Sequence, residues 1–270
     1  MNVILSSIAA LIFFAAGSVA QMVRISGIRP MARDVILWLT FLGAFSQMLA
    51  LYGLIHVEQG INLGIFVIIS LTILFILTMV LLSSIRKPSD NLLVLFLPVA
   101  CLSVLMAWLF PFQHIVVRPK LLLVTHVLVS VLAYGVLLAS MCQSLLLSWQ
   151  ETRLRSHASG ALIKVLPPIQ VMEKLMFEFL LVGEVLLTFS LASGFLFFDN
   201  MFAHHLIQKT MLSLIAWCVF AYVLIGRVMW GWRGDRVMRW VVIGAVLLAV
   251  AFFGWRLILV SLDNVATVVQ

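Results

Sequence analysis

The residues best placed to do chemistry in this sequence are ionisable side chains inside long apolar runs. His126 lies about one and a half turns inside the run LLLVTHVLVSVLAYG, and Arg256 interrupts FFGWRLILV at a similar depth. Ionisable residues are costly inside a membrane, so those that occur there are functional candidates. A lone histidine in an apolar run is more often a hydrogen-bonded packing residue. An imidazole and a guanidinium at one depth, however, would suit a ligand with a metal centre and carboxylates.

Four further histidines are predicted to lie in loops on the same side as His126. His204 and His205 precede the seventh run, His56 ends the second, and His114 follows the fourth. Taken singly, each of these histidines is best interpreted as a solvated loop residue. Together with His126 they suggest a histidine-coordinated cofactor, because neutral imidazole is the commonest metal ligand. Zinc is a weaker alternative, because the sequence has no HExxH motif and no close spacing of His with Asp or Glu.

Glu184 lies about two turns inside the sixth span from its predicted cytoplasmic end, and Arg227 lies near the same face of the seventh span. It could belong to a proton path, but an ion pair with Arg227 is the favoured interpretation, because charges buried in a membrane usually pair. The sequence has no nucleophile elbow, P-loop, dinucleotide fingerprint or paired-carboxylate site. We therefore expect that the chain is not an enzyme.

Composition predicts the fold class. The chain has 270 residues, of which 64% are hydrophobic and 10% charged, and its mean hydropathy is +1.21. The apolar runs are continuous rather than alternating, so they predict helices in a bilayer instead of a barrel. We expect an all-α polytopic bundle of about eight transmembrane helices that forms one integral membrane domain, residues 1–270. The predicted spans are 3–23, 35–55, 62–85, 92–112, 121–148, 177–198, 209–230 and 240–260.

The charges between the runs predict the orientation of the bundle. Thirteen of the seventeen basic residues fall in alternate loops: Arg24, Arg29, Arg33, Arg86, Lys87, Arg153, Arg155, Lys164, Lys174, Arg227, Arg233, Arg236 and Arg239. The positive-inside rule places these loops in the cytoplasm, and with eight spans both termini lie outside. The same rule explains the net charge of +7 without nucleic acid, for which no basic, aromatic-interleaved face exists. The lipid bilayer is the expected partner.

Three stretches carry a resemblance to a known family. They are HVLVSVLAYGVLLAS from His126, LPPIQVMEKLMFEFLLVGEVLLTFSLASGFLF, and KTMLSLIAWCVFAYVLIGRVMWGWRGDRV. Their most specific features are the histidine of the fifth run, the lysine and tryptophan of KTMLSLIAW, and the GWRG turn. These stretches resemble the cytochrome c assembly family, and within it the YpjD/HemX-like branch. The resemblance is strong over residues 120–260 and fits the number of spans elsewhere.

The resemblance implies a multi-pass protein of the bacterial inner membrane that binds or moves haem, without covalent attachment, during cytochrome c maturation. Relatives that present haem outside use a tryptophan-rich outer loop that ends in Trp-Asp and is flanked by histidines. Here the loop 198–209 has Asp199 and two histidines but no tryptophan. Many close relatives have a histidine just before the lysine of the seventh span, where this chain has Gln208.

The haem hypothesis assigns His126 as one axial ligand, since helix bundles can hold haem between spans through axial histidines. The second ligand would come from another histidine on the outer side: His204, His205 or His56. Of these pairs, His126 with His205 is the first candidate for the iron. Basic side chains predicted on that side would face the propionates: Arg256, Arg118 and Lys120.

The sequence allows two alternatives to haem handling. One is a membrane regulator or scaffold of haem biosynthesis, as the HemX-like relatives imply, which would contact partner proteins through the loop 149–176 and the GWRGDR turn. The other is a transporter of a different small substrate. The broken mid-span helices typical of transporters are weakly represented, because Pro98 is the only proline inside a span. Both haem handling and regulation of haem biosynthesis would require partners among cytochrome c maturation or haem biosynthesis proteins.

Overall fold

A computed structural model of the chain describes residues 2–27, 31–57, 60–86, 92–110, 115–117, 121–156, 166–197 and 207–254. Within these ranges it has eight α-helices, which run along the chain in the order of the predicted spans. Their bounds are α1 Val3–Ser26, α2 Arg33–Ile55, α3 Ile65–Arg86, α4 Leu93–Leu109, α5 Leu121–Arg155, α6 Ile169–Phe197, α7 Ile207–Trp230 and α8 Asp235–Ala249. A π-helical segment, Val250–Gly254, continues α8.

Six of these helices are long and apolar enough to cross a membrane, namely α1, α2, α3, α5, α6 and α7. Helix α4 is apolar but has 17 residues, and α8 has 15 before its π-helical continuation. The all-α polytopic class is therefore confirmed, and lipid contact follows from it. Eight crossings with both termini outside, and a single domain over residues 1–270, stay predictions.

Three short strands form a small antiparallel sheet that the apolar runs did not predict. They are β1 His56–Val57, β2 Gly60–Asn62 and β3 Ile115–Val116, in the order β1-β2-β3. Ile61 pairs with His56 on one side and with Val116 on the other. The sheet thus joins the end of α2 to the segment that leads into α5, at one end of the bundle.

Two helices extend beyond their predicted spans. Helix α5 continues to Arg155, about two turns past the predicted end of the span. Helix α6 begins at Ile169, immediately after Pro167 and Pro168, whose rings block a helix through the loop. The amides of Val171 and Met172 donate to the Pro168 carbonyl and close the first turn. Residues 169–176, which the sequence assigns to the loop 149–176, are therefore part of this helix.

The buried apolar side chains form two main clusters that share α5 and α6. The first cluster fills the space among α1, α2, α3 and α4 and includes Phe14, Ile76 and Leu97. The second lies among α5, α6, α7 and α8 and includes Leu180 and Phe220. Because α5 and α6 belong to both clusters, they form the centre of the bundle, and the candidate site lies at one end of this pair.

Candidate functional site

His126 lies at the interface between the start of α5 and the end of α6. Its Nδ1 is 2.9 Å from Oγ of Ser193 on α6, and the ring makes a backbone hydrogen bond with Ser190. The side chain is partly exposed rather than buried. The histidine is therefore held in one orientation by the neighbouring helix, at the end of the bundle that the sequence predicts to be outside.

The hydrogen bonds of the Ser193 hydroxyl indicate which nitrogen of the His126 ring carries the proton. Ser193 Oγ donates to the Ser190 carbonyl at 2.8 Å, which uses its only proton. Ser193 Oγ must therefore accept from the Nδ1–H of His126. In the neutral ring Nε2 then carries the lone pair, which is the form that ligates a metal.

A second pair of serines joins the same two helices one turn deeper. Ser130 Oγ donates to the His126 carbonyl at 2.7 Å, so it accepts from Ser190 Oγ, which lies 2.6 Å away. Ser130 and Ser190 are both buried. This polar ladder fixes the register of α5 against α6 around His126.

A cation connects the His126 site to two stacked aromatic rings. The Lys209 ammonium, in the first turn of α7, acts electrostatically on the imidazole and lies 5.1 Å from the ring centroid of Phe252. Phe252, in the π-helical segment, stacks on Tyr134 of α5 with a centroid distance of 5.0 Å. The seven residues that we call the His126 cluster are His126, Ser130, Tyr134, Ser190, Ser193, Lys209 and Phe252.

His56 is the only other sequence-predicted ligand that the described ranges contain. It begins β1, is exposed, and stacks on Tyr52 with a centroid distance of 4.4 Å. Its Nδ1 is 3.1 Å from the Tyr52 carbonyl oxygen. The sheet places His56 at the same end of the bundle as the start of α5, but in the packing unit of α2 rather than in the His126 cluster.

The remaining predicted site residues lie outside the described ranges. They are His114, Arg118, Lys120, His204, His205 and Arg256. Their assignments as second ligand or propionate partners stay predictions. Within the described ranges, no three His, Cys, Asp or Glu side chains are grouped so that they could hold a metal ion.

The predicted ion pair between Glu184 and Arg227 is wrong. Arg227 Nη1 is 3.1 Å from Oε1 of Glu173, one of the first residues of α6, and it also donates to the Trp232 carbonyl at 3.0 Å. The guanidinium lies 4.6 Å from the Phe177 ring centroid. Glu173 comes eleven residues before Glu184, on the same face of α6. Arg227 therefore pairs with the carboxylate nearer its own end of the bundle.

Glu184 itself is 7% exposed, and neither of its carboxyl oxygens has a hydrogen-bond partner in the described parts of the chain. Nearby on the same helix, Thr188 Oγ1 donates to the Glu184 carbonyl and accepts from the indole N–H of Trp217 at 2.8 Å. Trp217 thus links α7 to α6. Glu184 lies between this link and the Glu173–Arg227 pair.

Sequence reasoning missed the serines and Lys209 as parts of the site. The signal was present in the spacing, because Ser130 follows His126 by four residues and Ser193 follows Ser190 by three. Such pairs share one helix face. Polar stripes on two apolar helices would have predicted that these faces meet. In the sequence Lys209 is recognisable only as part of the KTMLSLIAW motif. Nothing in the sequence shows that the start of α7 lies close to the start of α5.

Comparisons with known proteins agree with this architecture. The family model described as "Cytochrome C assembly protein" matches residues 37–262. The chain is 31% identical over 204 residues to "Inner membrane protein YpjD" of Escherichia coli strain K12, with 74% of this chain and 76% of that protein covered. It is 30% identical over 135 residues to an "Uncharacterized 28.8 kDa protein in nifR3-like 5'region" of Azospirillum brasilense, with 49% of this chain and 50% of that protein covered.

No solved structure is significantly similar to the chain. The helices and the relative from Escherichia coli identify a multi-pass protein of the bacterial inner membrane. The family match spans α2 to α8 and includes every residue of the His126 cluster. The chain therefore belongs to the cytochrome c assembly protein family, and this membership supports a role in cytochrome c biogenesis.

Proposed function

We propose that this chain holds haem, as cargo and without covalent attachment, at the His126 cluster during cytochrome c assembly. It would handle haem without catalysing a reaction of its own. The observation that carries the proposal is the orientation of His126 by Ser193, in a polar site between membrane helices of a chain from this family. The proposed partners are other cytochrome c maturation proteins, which would supply or receive the haem.

The residues of the His126 cluster fit the two chemically distinct parts of haem. Its iron takes axial imidazoles, and a ligating histidine usually donates its other ring N–H to a neighbouring group, as His126 does to Ser193. Its propionates need cations, and Lys209 is the described cation of this site. Its apolar plate needs aromatic and aliphatic surface, for which Phe252 is the candidate, with the buried Tyr134 ring stacked on it.

Each residue has a separate part in this proposal. His126 would ligate the iron through Nε2, while Ser193 and the Ser190 backbone hold the ring in place. Lys209 would neutralise a propionate, with Arg256, Arg118 and Lys120 as further candidates from sequence. The second axial ligand would be His205, His204 or His56. The partly exposed position of His126 suits a cargo that must enter and leave.

The test is the haem content of the purified protein. Wild type, His126→Ala, Ser193→Ala and Thr125→Ala would be expressed with added haem precursor and purified in detergent. Absorption spectra and the pyridine haemochrome assay would then measure bound haem. Thr125 is the matched control, because it adjoins His126 but its hydroxyl bonds only within α5, to the Leu121 carbonyl.

We expect a Soret band in wild type and Thr125→Ala, and its loss or shift in His126→Ala. Ser193→Ala should weaken haem retention about tenfold, since residues that orient a metal ligand typically contribute that much. Unchanged haem content in His126→Ala would remove the centre of the proposal. A wild type that takes up no haem under these conditions would overturn it.

The second candidate function is regulation of haem biosynthesis through a partner at the other end of the bundle. A groove of 390 Å³ opens there between α5, α6 and the GWRG turn, and it is lined by both acidic and basic side chains: Glu151, Arg155, Glu173 and Arg233. Mixed charges of this kind steer a protein partner of complementary pattern.

If wild type binds no haem, crosslinking from Arg233→Cys should capture a haem biosynthesis protein, whereas Val117→Cys, at the opposite end, should not.

A further inference from the structure

A second groove lies between α7 and α8, away from the His126 cluster. Its volume is 360 Å³, and it is lined by Tyr222 of α7, Trp232 of the GWRG turn, and Arg236, Arg239, Trp240 and Ile243 of α8. Nothing in the haem proposal uses these residues. They combine cations, amphipathic rings and an aliphatic side chain, and this combination points to an amphiphilic anion.

The four α8 residues form one stripe whose polarity changes along the helix. Their positions follow the i, i+3, i+4, i+7 pattern of a single helix face. Arg236 and Arg239 are exposed in the first turns, Trp240 comes next, and Ile243 lies furthest from the helix start. The stripe therefore runs from charged to aromatic to aliphatic, which is the order a phospholipid presents from head group to acyl chain.

The α7 wall of the groove extends as far from the GWRG turn as the α8 wall does. Tyr222 lies eight residues before the end of α7 at Trp230, and Ile243 lies eight residues after the start of α8 at Asp235. At 1.5 Å per residue both lie about 12 Å from the turn that joins the helices. Both side chains are exposed, so the deep end of the groove faces the surrounding lipid.

The aromatic rings of the groove hold one another in place. The Tyr222 ring packs edge-on against Trp232 at 4.9 Å and against Trp240 at 5.6 Å between centroids. Trp232 is seated on Gly226, where an added Cβ would lie 2.2 Å from its ring. The Arg236 guanidinium lies 5.6 Å above the Trp232 ring. The aromatic wall of the groove is therefore preorganised without a ligand, and its Trp232 ring positions the Arg236 guanidinium.

We propose that this groove binds an anionic phospholipid, with its phosphate between Arg236 and Arg239 and an acyl chain along Trp240, Ile243 and Tyr222. Guanidinium groups bind phosphate with two parallel hydrogen bonds, and indole and phenol rings favour the head-group level of a bilayer. The positive-inside rule places the groove at the cytoplasmic leaflet, where basic pockets between helices recognise acidic head groups.

The test is lipid binding to the full chain in detergent, counted by native mass spectrometry. The probes are dioleoylphosphatidylglycerol, dioleoylphosphatidylcholine with the same acyl chains, and inorganic phosphate as competitor. The variants are Arg236→Gln/Arg239→Gln and the matched pair Arg153→Gln/Arg155→Gln. The matched pair removes the same charge from exposed arginines on the same predicted side, and one of them, Arg153, also lies over a tryptophan, Trp149.

We expect wild type and the matched control to bind phosphatidylglycerol at least about tenfold more tightly than phosphatidylcholine, since each of the two arginines of the groove contributes a severalfold preference for acidic lipid. Arg236→Gln/Arg239→Gln should lose that preference, and the single variant Arg239→Gln should lose part of it. Equal binding of the two lipids by wild type, or equal loss in both double variants, would overturn the proposal. So would displacement of the lipid by an equal concentration of inorganic phosphate.

Discussion

Two glutamates on one face of α6 show how position along a single helix changes what a carboxyl group does. Glu173 and Glu184 are almost equally buried, at 8% and 7% exposure. Glu173 lies in the second turn of α6 and shares a hydrogen bond with the Arg227 guanidinium. Glu184 lies about 16 Å further along the helix, and its carboxyl oxygens have no partner within the described ranges. The same substitution at the two sites should therefore have opposite consequences.

We predict that Glu184→Gln leaves the stability unchanged or raises it, whereas Glu173→Gln lowers the free energy of unfolding by about 1–3 kcal/mol. A neutral amide is cheaper to bury than a carboxylate without a partner, while loss of the Glu173 carboxylate removes a charge-assisted hydrogen bond from Arg227. Thermal unfolding of the two variants in the same detergent measures both effects. A larger loss in Glu184→Gln than in Glu173→Gln would mean that a charged Glu184 stabilises the fold.

The sequence predicted the right arginine and the wrong glutamate for a physical reason. The predicted sixth span begins at residue 177, which leaves Glu173 in the loop 149–176 and Glu184 inside the span. The helix in fact begins at Ile169, which puts Glu173 on the same face as Glu184 and nearer to Arg227. His126, in contrast, was correctly predicted to lie within a helix, although its serine partners depend on a helix contact that the sequence does not show.

At the scale of helices, the close approach of α5 and α6 is what holds the His126 cluster together. Gly183 of α6 faces Leu137 of α5, and a Cβ on this glycine would lie 2.6 Å from Leu137 Cγ and 3.2 Å from its backbone nitrogen. Because a backbone atom is among these neighbours, a side-chain rotation alone cannot relieve the clash. The helices would have to separate, and the separation would reach His126 and Ser193 along the same interface.

We predict that Gly183→Ala lowers the free energy of unfolding by about 1–3 kcal/mol, because it overpacks the interface. Gly17→Ala is the matched control, since its Cβ would meet Leu97 at 3.4 Å, an ordinary contact. That variant should be neutral or up to about 1 kcal/mol more stable, as alanine favours a helix more than glycine does. Thermal unfolding compares the two. Equal effects would show that α5 and α6 are not closely packed at Gly183.

The helices themselves were largely predictable, because their signal is local. Eight apolar runs became eight helices, and Pro167 and Pro168 come directly before the start of α6. The ends were less predictable where a helix leaves the membrane, as α5 does, since polar residues such as Gln150 and Glu151 end a hydrophobic run without ending a helix. The small sheet gave no signal, because two- and three-residue strands have no readable periodicity.

At the scale of the whole molecule, the number of crossings depends on the two shortest helices. Helix α4 has 17 residues and is about 26 Å long, close to the hydrocarbon thickness of about 30 Å. Helix α8 has 15 residues, but the π-helical segment extends it to Gly254. Arg155 and the GWRGDR turn share one side whether or not α4 and α8 cross, because only α6 and α7 lie between them. If α4 crosses, Arg24 and Arg33 lie on that side too, as the positive-inside rule requires. If α4 does not cross, these basic loops would lie on opposite sides, whereas α8 decides only the side of the C-terminus.

We predict eight crossings, with Asn2 outside and Arg155 and Arg233 inside. In a background without Cys101, Cys142 and Cys218, single cysteines at these three exposed positions would be labelled in spheroplasts with a membrane-impermeant maleimide. Asn2→Cys should react in intact spheroplasts, whereas Arg155→Cys and Arg233→Cys should react only after permeabilisation.

Each alternative topology gives its own pattern. If α4 does not cross, Asn2→Cys and Arg155→Cys become accessible from the same side, because four crossings separate them instead of five. A tag after Gln270 tests α8 in the same way, since it should be accessible from the side opposite Arg233→Cys. The eight-crossing arrangement puts the His126 cluster at the outer surface and the arginine groove of α8 at the cytoplasmic leaflet. The labelling therefore also decides on which sides haem and acidic lipid would meet this protein.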